Sequence, residues 1–239
     1  MGFCNMNLLV IGSCTGEKDS RNCPSPLTEA DFEDPALLRR REAELAPWAL
    51  PALRLYTGRQ HRYIMSGVEL LRARFGLSAC SVKIISAGYG LVAEDRLLVP
   101  YEATFQKKGT GWICRRARQL GIPEAVREAA HGHECVMFLL GEKYLFSIQP
   151  LPHPSLDQRF IFFSSASSLA LSPELTIIPA GNTERRFGAV LTALKGKMFE
   201  LFAAGLCLRP ELWGQVLSDG SSRTVMRLIE IGQTRHGPH

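Results

Sequence analysis

The sequence predicts a layered α/β fold, a mainly parallel sheet with helices on both faces. Short apolar runs of strand length recur along the chain, and segments of helical period separate them. The first run, Leu8-Leu9-Val10-Ile11-Gly12, is apolar without alternation, as a strand covered on both faces must be. At 239 residues and 46% hydrophobic, the chain can bury a sizeable core. Residues 1–208 read as one unit with a helical insertion at about 29–51, and 209–239 as a helical extension packed on it.

After the first strand, Ser13 to about Leu27 is rich in Gly, Ser, Asn and Pro and reads as loop. Charged helical sequence follows from Glu29 to Leu45, interrupted at Pro35, and its charges suggest a solvated excursion. From Arg59 to Phe75 apolar residues recur at helical spacing, and Gly76 supplies the stop. Ser81–Ala87 is a β-branched strand, and Gly88–Phe105 has too many breaks for a long helix. Trp112–Leu120 and Pro123–Ala130 read as short helices, and Val136–Leu140, Phe160–Phe163 and Leu175–Ile178 as strands. One helical period runs from Thr183 to Leu206, and two short helices flank Asp219-Gly220-Ser221-Ser222. In the last pair Trp213, Leu217, Val225 and Leu228 favour packing over a DNA-touching role for Arg223 and Arg227.

Composition excludes several classes. The chain is too apolar and too irregular for disorder, collagen or coiled coil. No apolar run reaches the roughly 18 residues of a membrane span, and the start lacks the basic leader of a secretory signal. Seven scattered cysteines, among them Cys80, Cys135 and Cys207 in apolar runs, suit reduced, packed thiols and a cytoplasmic location. A formal charge of +5 permits a polyanionic partner.

Ligands in such sheets bind beyond the carboxyl ends of the strands, so the loops after Ile11, Ile85 and Ile178 are the places to search. Gly88-Tyr89-Gly90-Leu91-Val92-Ala93 fits a dinucleotide pattern, but Leu98-Val99-Pro100 leaves no room for the helix that must follow. No phosphate-binding P-loop is present. His131-Gly132-His133-Glu134-Cys135 crowds its donors into one turn, which suits a helix end better than a metal. Four segments are more specific: Gly12 to Lys18, Leu55-Tyr56-Thr57-Gly58, Ser86-Ala87-Gly88-Tyr89-Gly90-Leu91, and Pro100-Tyr101-Glu102-Ala103-Thr104. Together they read as a pocket with Ser13, Cys14, Thr15 and Ser86 as polar contacts, Gly88 and Gly90 for close approach, and Tyr56, Tyr89 and Tyr101 as aromatic faces. The alternative is a set of tight turns with tyrosines packed beneath.

These segments resemble an uncharacterised bacterial domain family related to the peroxide-stress protein YaaA, over the first half of the chain and up to Gly181. Related domains accompany the transglycosylases that place deazaguanine bases in DNA. The resemblance implies nucleic-acid base chemistry. A phage-defence branch of similar size and motifs implies a DNA glycosylase acting on glucosylated hydroxymethylcytosine. His153-Pro154-Ser155 resembles the active-site histidine segment of uracil-DNA glycosylases, whose general layout is the fold expected. Base exchange in deazaguanine modification and non-catalytic DNA binding of the YaaA sort are the alternatives.

Such an enzyme must evert the nucleotide and stabilise an oxocarbenium-like transition state with a carboxylate. Stacking on the tyrosines would contribute about 1–3 kcal/mol per base. Glu102 is the first carboxylate candidate, Asp19 the second, and Lys18 would stabilise the departing base; no metal or cofactor is called for. Glu94 and Asp95 read as surface residues. Three basic helix openings would hold DNA phosphates: Arg59 with Arg62, Lys107 and Lys108 with Arg115, and Arg185.

Overall fold

The computed structural model describes residues 6–20, 22–164 and 175–235. The opening residues searched for a leader, 1–5, lie outside them. Six strands form the central sheet: β1 (Leu8–Ser13), β2 (Cys80–Ser86), β3 (Gly90–Ala93), β4 (Cys135–Leu139), β5 (Arg159–Ser164) and β6 (Thr176–Pro179). Their order is β6-β5-β4-β1-β2-β3, parallel except for β3, which folds back antiparallel on β2. Leu8 to Ile11 and every residue of β4 are buried. Since successive side chains of a strand point to opposite faces, both faces of the sheet centre are covered.

The longer helices are α1 (Pro35–Leu45), α2 (Arg59–Phe75), α3 (Thr110–Gln119), α4 (Ile122–Ala130), α5 (Leu191–Leu208), α6 (Trp213–Ser218) and α7 (Arg223–Arg235). α5 is apolar nearly all round because it is packed between α2 and α7. The crossings are so close that a Cβ on Gly196 would stand 2.3 Å from the Gln60 carbonyl oxygen, and one on Gly205 would stand 2.0 Å from that of Leu228. Trp213, Val225 and Leu228 are buried, as a packing role for the last helices requires.

Two elements differ from expectation. The period from Thr183 to Leu206 is not one helix: a 3₁₀ turn at Thr183–Phe187 ends on Gly188, whose φ of 87° breaks the run before α5 starts. Nor is the 29–51 insertion a wholly solvated excursion. Phe32 and Leu45 are buried, and the Phe32 ring lies edge-on to Tyr89 and Tyr101, with centroids 5.1 and 5.8 Å away. The interruption at Pro35 is instead the start of α1, where Asp34 accepts from the backbone of Ala36 and Leu37.

Candidate functional site

The loop after β1 is sewn to the segment that precedes α2. Cys14 N donates to the Ile85 carbonyl (2.8 Å), Thr57 N to that of Glu17 (3.1 Å), and Asp19 N to that of Leu55 (2.7 Å). Thr15 Oγ1 donates to the Glu17 carbonyl at 2.6 Å and accepts from Gly58 N at 3.3 Å. Between this loop, the start of α2, Gly141 beyond β4 and the start of α5 lies a cleft of about 700 Å³. Ser13, Cys14, Thr15, Glu17, Gln60 and Lys195 line it. The connections from β1 and β4 run toward opposite edges of the sheet, and such a reversal opens a crevice at the carboxyl ends of the strands. Cys14 Sγ and Tyr144 Oη, 3.0 Å apart, tie the two loops together beneath it.

The cleft is cationic on one side. Lys195 is partly buried in its wall, and the loss of water lowers its amine below the usual lysine range while Glu142 pulls the other way. An adjoining hollow of about 460 Å³ shares Arg59 and Val190 with the cleft and adds Asn182 and Arg185. The guanidinium-bearing residues Arg59 and Arg185, both exposed, thus border one concavity from two separate elements. Glu17 is exposed on the cleft wall beside Thr15.

The four predicted segments converge, but the tyrosines among them form a closed cluster. Tyr56 and Tyr101 are buried, and burial pushes both hydroxyls above the ordinary phenol range. Their oxygens lie 2.8 Å apart, and the Tyr101 hydroxyl is 2.7 Å from Ser86 Oγ. Ser86 Oγ already accepts from Gly88 N and Tyr89 N, so its own proton goes to Tyr101, whose proton goes to Tyr56. Two of the rings also carry a cation: the Lys18 amine stands 4.4 Å from the Tyr101 centroid, and Arg96 stands 5.5 Å from that of Tyr89. Phe32, Lys18 and Arg96 thus stand against the Tyr89 and Tyr101 rings expected to stack a base. Gly88 and Gly90 admit protein rather than ligand, since a Cβ on the first would stand 2.6 Å from Phe32 and on the second 3.0 Å from the Leu120 carbonyl oxygen.

The carboxylates separate as well. Glu102 is exposed, on a two-residue ladder with Leu27–Thr28, and acts on Lys18 rather than on the cleft. Burial lowers the Lys18 amine, and Cys14 and Glu102 pull it back up. Asp19 borders a separate hollow with Asn22, Trp48 and Pro100. Glu94 is not a free surface residue: its carboxylate takes both terminal nitrogens of Arg72. Of the expected phosphate contacts, Arg59 and Arg185 come together, Arg62 lines a different hollow, and Lys107 and Arg115 are exposed. Lys108 is committed, 2.6 Å from Glu29 and 4.8 Å from the Trp112 ring centroid. His153 is exposed in the loop leading to β5. Among the described residues no three His, Cys, Asp or Glu side chains gather as metal ligands, and no helix is long and apolar enough to cross a membrane.

Sequence reasoning missed Lys195, Gln60 and Tyr144. Lys195 is one charge in the apolar period of α5, Gln60 one polar position in α2, and Tyr144 follows β4 in a single helical turn, Glu142–Leu145. Only the lysine left a signal, a cation near the start of a helix otherwise apolar for most of its length. No protein-family model and no curated protein matches this sequence.

Proposed function

We propose that this chain binds DNA and hydrolyses the N-glycosidic bond of a bulky modified base, leaving an abasic site. Glucosylated hydroxymethylcytosine of phage DNA is the substrate that the motif resemblance implies, with a cytoplasmic role in defence and a layout akin to uracil-DNA glycosylases. The observation that carries the reading is the cleft at the crossover of β1 and β4, lined by Glu17 together with the cationic Lys195 and Arg59, with Arg185 in the adjoining hollow. Backbone phosphates suit the exposed guanidinium groups, and an everted nucleotide suits the polar Ser13–Thr15 wall. In this reading Glu17 replaces Glu102 as the carboxylate that stabilises positive charge at C1′ and orients water. Lys18, over the Tyr101 ring, and Asp19, on a separate hollow, are given no role in the cleft.

A second reading, DNA binding without catalysis, is favoured by the closed tyrosine cluster and the outward-facing Glu102. One experiment separates the two. The purified protein is incubated with glucosylated phage DNA and with unmodified DNA, and both are probed for alkali-labile breaks. Breaks confined to the modified DNA are expected. Breaks in neither, with binding retained, would leave the non-catalytic reading in possession.

A further inference from the structure

Lys195 differs from three other partly buried lysines, whose amines are engaged. Lys18 lies over the Tyr101 ring, Lys108 is paired with Glu29, and Lys197 stands 2.7 Å from Glu200. Among the described residues Lys195 makes no hydrogen bond and no ion pair, only an electrostatic contact with Glu142, and it lines the cleft of about 700 Å³ beside Ser13, Cys14 and Thr15. A cation drawn partly out of water costs stability, and a lysine amine lowered in this way suits chemistry that uses its neutral form. Phosphate binding alone is already served by the exposed Arg59 and Arg185, which keep their charge at any working pH. The amine deeper in the wall is free for chemistry.

We propose that Lys195 is an imine-forming nucleophile toward the aldehyde of an abasic deoxyribose, which gives the protein a strand-cleaving lyase step after base removal. The proposal rests on the cleft being the nucleotide site. The neutral amine adds to C1′ of the ring-opened sugar, forming the N–C1′ bond while the carbonyl oxygen takes up a proton. The resulting hydroxyl leaves as water and a protonated imine remains. A carboxylate on the wall, Glu17, then removes a proton from C2′. That electron pair forms the C2′–C3′ double bond, and the C3′–O bond breaks with its pair on the departing phosphate. Water hydrolyses the imine and returns the amine, so no oxidant or reductant is needed. The low basicity that burial confers on Lys195 keeps more of it in the attacking form.

The test supplies the abasic site ready-made. A duplex in which a single uracil has been removed beforehand is mixed with the intact protein and sodium borohydride, which reduces the imine to a stable secondary amine. The adduct is then mapped by mass spectrometry of its peptides. An adduct on the peptide carrying Lys195 is expected, lost in both Lys195→Ala and Lys195→Arg, the second keeping the charge. No adduct, or one on Lys18 or scattered over surface lysines, overturns the proposal. Because the base has already been removed, failure here leaves base excision standing, whereas an adduct without excision of modified bases overturns the glycosylase reading alone.

Discussion

The ring of Phe32 occupies the volume that any side chain at Gly88 would need, with its Cζ 2.6 Å from the position of a Cβ there. The insertion at 29–51 is thereby locked to the turn between β2 and β3, over the tyrosine cluster. Replacing Gly88 by alanine forces a stiff aromatic ring to move, and overpacking of this kind costs about 1–3 kcal/mol. In a Phe32→Ala background the same substitution should cost far less. Urea midpoints of the two single variants and the double variant check this, and additive losses would show that the two residues are not coupled.

Burial pushes the Cys80 thiol up to about 12, from the 9.0 of an ordinary thiol. The fold therefore favours the neutral thiol, and that contribution is complete below pH 9. It is lost as the pH rises from 9 toward 12, because the unfolded chain releases the proton first. Wild-type protein and Cys80→Ala should differ most at neutral pH and converge as the solution becomes alkaline. Denaturant melts at a series of pH values between 8 and 11 measure the convergence; parallel curves would refute it.

Asp219 holds the turn into α7, accepting from Ser221 N at 2.9 Å and from Thr224 Oγ1 at 2.7 Å. These donors hold its carboxyl well below the usual carboxylate range. Asp219→Ala should cost ~1 kcal/mol at neutral pH, the typical value of a lost helix cap. Because the group is depressed, its contribution is present above the ordinary carboxylate pKa and disappears as the pH falls through the folded value. The difference between variant and wild type should thus shrink in acid, which thermal melts at pH 7 and pH 3 would register.

Exchanging carboxylates tests the placement of the chemistry. Glu17→Gln should lower excision roughly 100-fold, and Glu102→Gln should leave it within a few-fold of wild type. Arg59→Ala and Arg185→Ala should each flatten the salt dependence of DNA binding by about one unit of slope. Lys108→Ala should leave that slope unchanged, because its amine is already paired with Glu29. Equal loss in the Glu17 and Glu102 variants would return the assignment to the exposed ladder.

Periodicity made the scaffold legible. The run at Leu8, the helix from Arg59 to its stop at Gly76, and the β-branched strand ending at Ser86 all stand where apolar spacing puts them. Spacing says nothing of which way a turn residue faces. Tyr56, Tyr89 and Tyr101 were recognisable as neighbours, but whether their rings opened to solvent depended on Phe32, whose destination lies across a stretch that reads as charged. The helix through Gly188 was misread because glycine is tolerated in an apolar period and only a positive φ marks the break. Lys195 escaped notice for a related reason: its environment is made by loops at residues 13–17 and 141, far away in the chain.

The contact at Gly196 reaches beyond helix packing. Gly196 follows Lys195, and the carbonyl it touches belongs to Gln60, the neighbour of Arg59. Backbone therefore rests on backbone between the two cationic residues, with no side chain in between to compress or slide. The spacing of their backbones is set when the chain folds and does not wait for an incoming ligand, so that part of the orienting cost is met during folding.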